Sequence, residues 1–152
     1  MADGAAPLPP ETEARRRWMS VLARASVAEL SEGLGAIGPL PAYRFLRQPE
    51  TGLTLLRGRI GGSGEAFNLG EMTVTRCVVA LDDGGEPGVA YVAGRDPRQA
   101  ELAAVLDALL LRQSAPAAAL VETLAEAQAE RRRRTQATVA PSKVEFFTLV
   151  RE

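Results

Sequence analysis

The chain has no histidine and a single cysteine, Cys77, among its 152 residues. Without histidine there is no imidazole base, no Ser-His-Asp or Cys-His catalytic group and no histidine metal ligand. One cysteine excludes an internal disulfide and a CxxC redox pair. It cannot by itself hold an iron-sulfur cluster, which takes three or four thiolates. Lysine is nearly absent too: Lys143 is the only one of 18 basic residues, and 19 acidic residues bring the formal net charge to -1. A near-neutral chain carries no global basic field for nucleic acid or an anionic membrane, so any anion binding has to be local. No stretch approaches the roughly 18 consecutive apolar residues of a membrane span. Met1 to Pro10 lacks the basic-then-apolar order of a signal peptide, and the expected location is the cytoplasm.

What is present suits an ordinary globular domain. Hydrophobic residues make up 46% and charged residues 24%. A chain of this length buries roughly 68–70% of its unfolded surface, enough for a core without metal or disulfide staples. Arginine suits bidentate phosphate or carboxylate recognition. A GC-rich genome, which also raises alanine, accounts for the arginine excess without any site.

Met1 to Pro10 is Pro/Ala-rich and reads as disordered, leaving 11–152 as one domain. A helix is expected from about Glu11, with Thr12 as N-cap and Trp18, Val21, Leu22 and Ala25 at helical spacing. Ser26 and Glu29 form a capping-box pattern that opens a second helix, striped by Val27, Leu30, Leu34 and Ile37. Gly35, Gly38, Pro39 and Pro41 end it. Strands follow: Tyr43 to Arg47, a turn at Gln48-Pro49-Glu50-Thr51-Gly52, Leu53 to Ile60, Met72 to Leu81, a hairpin turn at Asp82-Asp83-Gly84-Gly85, and Gly88 to Val92. Helix returns from Gly94 to Arg112, with Asp96 as N-cap, Pro97 at the first helical position, Gln99 completing an Asp-x-x-Gln box, and Leu102, Val105, Leu106, Leu109 and Leu110 as its stripe. The next helix begins near Pro116, carries Leu120, Val121 and Leu124, and ends in Arg131 to Arg134, where cations meet the negative end of the dipole. Thr135 to Ser142 reads as a linker and Val144 to Val150 as a last strand. The order predicts a single α+β domain, mainly an antiparallel sheet with helices packed on one face. Met72 to Leu81 is partly apolar on both faces, which asks for a cover on the second face, a partner protein being one candidate.

The densest feature is the run from Arg57 to Arg76. Gly61, Gly62 and Gly64 permit close backbone approach, so consecutive N–H groups can converge on an anion, with Ser63 adding a hydroxyl and Arg57, Arg59 and Arg76 supplying charge. Glu71 and Thr73 lie on the strand that follows. The spacing is neither a Walker loop nor a dinucleotide fingerprint, since Gly-x-x-x-x-Gly-Lys is absent and a strand follows in place of a helix. A tight glycine turn or bulge between two strands accounts for the same residues. Glu50, Glu71 and Asp107 are the carboxylates to consider for acid/base work, although Glu71 also suits pairing with an arginine. Cys77 reads as a small buried hydrophobe, and Trp18, Phe146 and Phe147 as core or interface aromatics. No catalytic residue and no metal site is assigned.

Several segments together resemble one family. Arg17-Trp18-Met19-x-Val21-Leu22-Ala23, Pro49-Glu50-Thr51-Gly52-Leu53, Arg57-Gly58-Arg59-Ile60-Gly61-Gly62-x-Gly64, Phe67-Asn68-Leu69-Gly70-Glu71-x-Thr73-Val74-Thr75-Arg76-Cys77, Gly94-Arg95-Asp96 and Phe146-Phe147-Thr148-x-Val150-Arg151 are similar to the G-subunit family of bacterial carbon-phosphorus lyase, PhnG. The departures are Ala66, where proline is expected, and Ser63, where threonine is common. The resemblance implies a part in phosphonate catabolism, within a core complex of G, H, I and J subunits joined by the L subunit in the first step. In that step a phosphonate displaces adenine from ATP to give ribose 1-phosphonate 5-triphosphate, with the I subunit credited with the chemistry. Carbon-phosphorus cleavage belongs to the J subunit, a radical enzyme with an iron-sulfur cluster, and a chain without histidine or clustered cysteine suits an accessory role. The chain itself is then expected to bind no cofactor, ATP being a substrate of the complex. Its part is expected to be assembly with, and stabilisation of, the I subunit. The alternatives are a direct contribution of the glycine loop to triphosphate or phosphonate binding, or a free-standing phosphate-binding module.

Overall fold

The computed structural model describes residues 9–62 and 64–139, in which four helices stand on a three-stranded antiparallel sheet. The α+β class expected from the element order is what these residues form. The expected strand Val144 to Val150 and the aromatics Phe146 and Phe147 lie outside the described residues.

Helix α1 spans Pro10–Leu22 and α2 spans Val27–Ile37. Pro10 at the first helical position starts α1, so Thr12 lies inside the helix and is not its cap. The box at Ser26 forms as expected: its hydroxyl accepts from the Glu29 N–H while the Glu29 carboxylate accepts from the Ser26 N–H. Gly38, with φ of 107°, ends α2 in a conformation that costs residues with a Cβ dearly.

Strand β1 runs without interruption over Tyr43–Arg59, β2 over Ala66–Leu81 and β3 over Gly88–Ala93, in the order β1-β2-β3. The turn expected at Gln48 to Gly52 is therefore absent, and three strands are described there where four were expected. Register shifts flank Arg47, between Phe45 and Glu50. Because β1 is an edge strand, Pro49 and the extra residues are taken up as bulges, where a missing N–H costs nothing. The Asp82–Gly85 turn between β2 and β3 is as expected, with positive φ at Gly84 and Gly85.

Helix α3 spans Pro97–Leu111 and lies across all three strands, while α1, α2 and α4 pack around it, so that both of its sides are buried. Its close approach to β3 depends on Gly88, where a Cβ would sit 2.0 Å from the Ala104 carbonyl oxygen. Asp96 caps α3 by accepting from the N–H groups of Arg98 and Gln99. The Gln99 side chain does not close a box. It donates instead to the carbonyls of Ala23 and Ala25, satisfying the end of α1. Helix α4 spans Ala115–Val139, which turns Thr135 to Val139 from expected linker into helix. Arg131 to Arg134 consequently sit inside α4 and not at its end. Arg131 pairs with Glu29, and Arg133 and Arg134 with Glu130 one turn earlier.

The core joins Leu22, Leu30 and Leu34 of the first two helices, Cys77, Val79, Ala90 and Val92 of the sheet, Val105 and Leu106 of α3, and Val121 and Leu124 of α4. All of it lies on the helix-packed face of the sheet and at the end of the strands nearest the Asp82–Gly85 turn. The other end of the β1-β2 hairpin reaches past the helices.

Candidate functional site

Register decides what that protruding end displays. Strand β3 starts opposite Val79 and finishes at Ala93 opposite Val74, so among the described residues strand β2 from Thr73 to Ala66 is paired only with Leu53–Arg59 of β1. This two-stranded arm closes through a short 3-10 turn at Ile60–Gly62. Gly61 there has φ of 61°, and the Gly64 N–H donates to the Ile60 carbonyl, a contact that a Cβ at residue 64 would obstruct at 2.7 Å. The glycines thus have a local structural use, closing the tip.

Side chains across an antiparallel pair share a face. Thr75, buried and hydrogen-bonded to Thr51, marks the helix-packed face. Strand alternation therefore puts Leu53, Leu55, Arg57 and Arg59, together with Thr73 and Glu71, on the continuation of that face beyond the helices. Leu53, Leu55, Leu69 and Ile60 are 60–71% exposed and Phe67 is 41% exposed. Covering these five would release about 5–9 kcal/mol of gross transfer free energy, each being worth about 1.5–3 kcal/mol when fully buried. Among the described residues these five are on the arm, while Leu40, Leu46, Tyr91 and Val139 are exposed elsewhere.

The cluster of three arginines expected around the glycine loop is not assembled. Arg76 lies on the opposite, helix-free face, opposite Glu50 and seven residues from the level of Arg57, about 23 Å along the strands. It is also neutralised: Glu50 accepts from Arg76 at 2.5 Å and from Arg47 at 2.7 Å, and the hydrogen-bonded Arg76 guanidinium holds the Glu50 carboxyl below its ordinary range. Arg57 and Arg59 make no ion pair among the described residues; Arg59 donates to the Gly64 carbonyl at 3.2 Å. Gly61 and Gly62 are in the tip turn, and Glu71 and Thr73 on the arm, the Thr73 carbonyl accepting from the Gly94 N–H. The structure therefore brings Arg57, Arg59, the glycines, Glu71 and Thr73 onto one arm and leaves Arg76 off it.

The remaining candidates are structural. Asp107 is fully buried and accepts from Arg15 Nη2 at 2.7 Å, Trp18 Nε1 at 2.7 Å and the Val89 N–H at 2.9 Å. A carboxylate enclosed by three donors joins α1, α3 and β3 and has no access to a substrate proton. Sequence spacing had no means of showing this, since its partners lie up to 92 residues away. Cys77 is buried in the core, and burial pushes its thiol up to about 11, so it is no nucleophile. Burial and a neighbouring Glu101 also raise the Tyr43 phenol. A groove of about 400 Å³ between α1 and α4 holds Arg17, Arg24 and Glu122, but Arg24 is folded back onto Ser20. No group of three or more metal-ligating side chains occurs among the described residues, and no helix there is long and apolar enough to cross a membrane.

Residues 13–152 match the family model described as phosphonate metabolism protein PhnG, and the chain belongs to that family, as its motifs indicated. A curated relative from Rhizobium meliloti (strain 1021), named alpha-D-ribose 1-methylphosphonate 5-triphosphate synthase subunit PhnG, is 47% identical over 142 residues, covering 90% of this chain and 88% of the relative.

Proposed function

We propose that this chain is an accessory, non-autonomous subunit of a cytoplasmic ribose 1-methylphosphonate 5-triphosphate synthase, a transferase. In this reading it joins the H, I and J subunits, with L in the first step, and a phosphonate displaces adenine from ATP to give ribose 1-phosphonate 5-triphosphate. The chain binds no cofactor of its own, and ATP reaches it only as substrate of the complex. Its main part is to dock and stabilise the I subunit. One observation carries this: Leu53, Leu55, Leu69, Ile60 and Phe67 are exposed on an arm that the described helices do not cover. An apolar display of this kind on an otherwise well-packed chain fits a protein interface.

Co-expression with a tagged I subunit tests the reading. The wild-type chain should co-purify and the Leu53→Ser, Leu55→Ser double variant should not, while the isolated wild-type chain should self-associate. A monodisperse chain that binds ATP unaided would refute it. A second reading rests on Arg57 and Arg59, which have no carboxylate partner among the described residues and stand two residues apart on one face. Held against a triphosphate, they would favour the charge that develops on transfer. Arg57→Ala and Arg59→Ala should then lower turnover in a complex that still assembles; loss of assembly instead would sink the contact hypothesis.

A further inference from the structure

The two stretches of sheet edge bordering β3 are treated differently. In the body, the Val89 N–H of β3 is met by the buried Asp107 carboxylate at 2.9 Å, so the outer edge is closed at that point. Beyond β3 no strand of the described residues occupies the lane. The Thr73 carbonyl accepts from the Gly94 N–H, which shows that Thr73 turns its polar backbone groups toward the β3 side. Alternate residues of a strand turn theirs to the same edge, so Glu71 points its N–H and C=O there as well, with no strand opposite among the described residues. Gly70 and Met72 point theirs at β1. The edge from Ala66 to Met72 holds no proline and no lysine, two devices that usually keep an edge from pairing. Its register shift, between Leu56 and Arg57, leaves Glu71 in regular register opposite Leu55.

The geometry points to a β-strand of a partner subunit adding to this edge, in line with β3 and next to Gly94. The inference rests on the subunit reading above and names its mode of contact. The added strand would carry a lysine or arginine opposite Glu71, on the face that also displays Leu53 and Leu55 one strand further in. A second copy of this chain fits less well. Pairing two β2 edges antiparallel about Gly70 puts the two Glu71 carboxylates diagonally across the seam on one face, where like charges repel. The exposed arm offers five large apolar side chains for the apolar centre of such a contact.

Proline at residue 71 separates main-chain from side-chain contact, because it removes an N–H that points away from β1. With full-length chain and tagged I subunit, Glu71→Pro should weaken association at least tenfold, while Glu71→Ala, which keeps the N–H, should change it less than threefold. Circular dichroism and Trp18 emission of the free variant should match wild type. Amide hydrogen exchange of the wild-type chain gives an answer that needs no variant: the Glu71 N–H should exchange at least tenfold more slowly in the complex. Unchanged exchange there, or a folded Glu71→Pro chain that binds like wild type, would overturn strand addition. If Leu53→Ser, Leu55→Ser still abolishes binding in that case, the docking reading survives and only its mode is wrong. If that double variant also binds, the docking reading itself fails. A wild-type dimer that Glu71→Pro dissociates, without loss of I-subunit binding, would assign the edge to a second copy and overturn the inference.

Discussion

The β1-β2 hairpin is one continuous piece of chain built to two different rules. Between Tyr43 and Thr51 its helix-side face packs Tyr43 and Phe45 against the core opposite Val79 and Leu81, and its outer face is set with neutralised charge, Arg44 to Asp82 and Arg47 and Arg76 to Glu50. Between Leu53 and Arg59 the same face carries exposed leucines and two arginines without carboxylate partners among the described residues. Nothing in the strand backbone changes at that border. What changes is that β3 ends at Ala93, opposite Val74, with α3 starting just after it at Pro97. A half-hairpin that satisfies itself contributes stability, and a half-hairpin that does not is available to something else.

Substitutions should divide along the same border. Asp107→Ala should have the largest effect, about 3–5 kcal/mol in urea or thermal unfolding, because it leaves Arg15, Trp18 and the Val89 N–H without an acceptor in a buried place. Gly88→Ala comes next. Its Cβ would force β3 off α3, a shift that typically costs about 1–3 kcal/mol and is checked by the same unfolding curves. Ser26→Ala should cost about 1 kcal/mol through the lost cap of α2. The box also has a pH signature. The Ser26 backbone N–H, then Arg131, hold Glu29 below its ordinary value, so its contribution is present above the unfolded value of about 4.3 and fades as pH falls toward the lower folded value. Acid unfolding of Glu29→Gln, which removes the titrating carboxylate, should accordingly show a shallower loss of stability in that window. The smallest effect is on the arm: Leu53→Ser with Leu55→Ser should shift stability by less than about 0.5 kcal/mol, since both side chains are already in water. A loss above 1 kcal/mol would mean that the arm supports the body, and would erase the distinction.

Where local chemistry decides an element, the sequence showed it. The Ser26 and Glu29 box, the Asp96 and Pro97 start of α3, and the leucine stripe from Leu102 to Leu110 all depend on neighbours within a turn or two. Pro49 misled because turn composition on an edge strand is also bulge composition, and only pairing with β2 tells them apart. The run Arg131 to Arg134 looked like a helix end, yet Glu29 and Glu130 pair with three of its four arginines in mid-helix and the helix continues. Gln99 looked like half of a box, but two open carbonyls at the end of α1 take its amide instead. At the candidate site the glycine segment folds as one arm that leaves Arg76 out. The division of its residues between two faces of a sheet, and between arm and body, depends on where β3 stops, which no motif encodes.

Trp18 holds the chain's only indole, and its N–H is fixed on Asp107 where α1, α3 and β3 meet. That makes it a built-in optical probe of one junction. Its emission should follow the opening of the helical layer during denaturation and stay silent while something binds the distant arm. A single protein without labels therefore reports folding in one channel, leaving any change seen by other probes to be assigned to assembly.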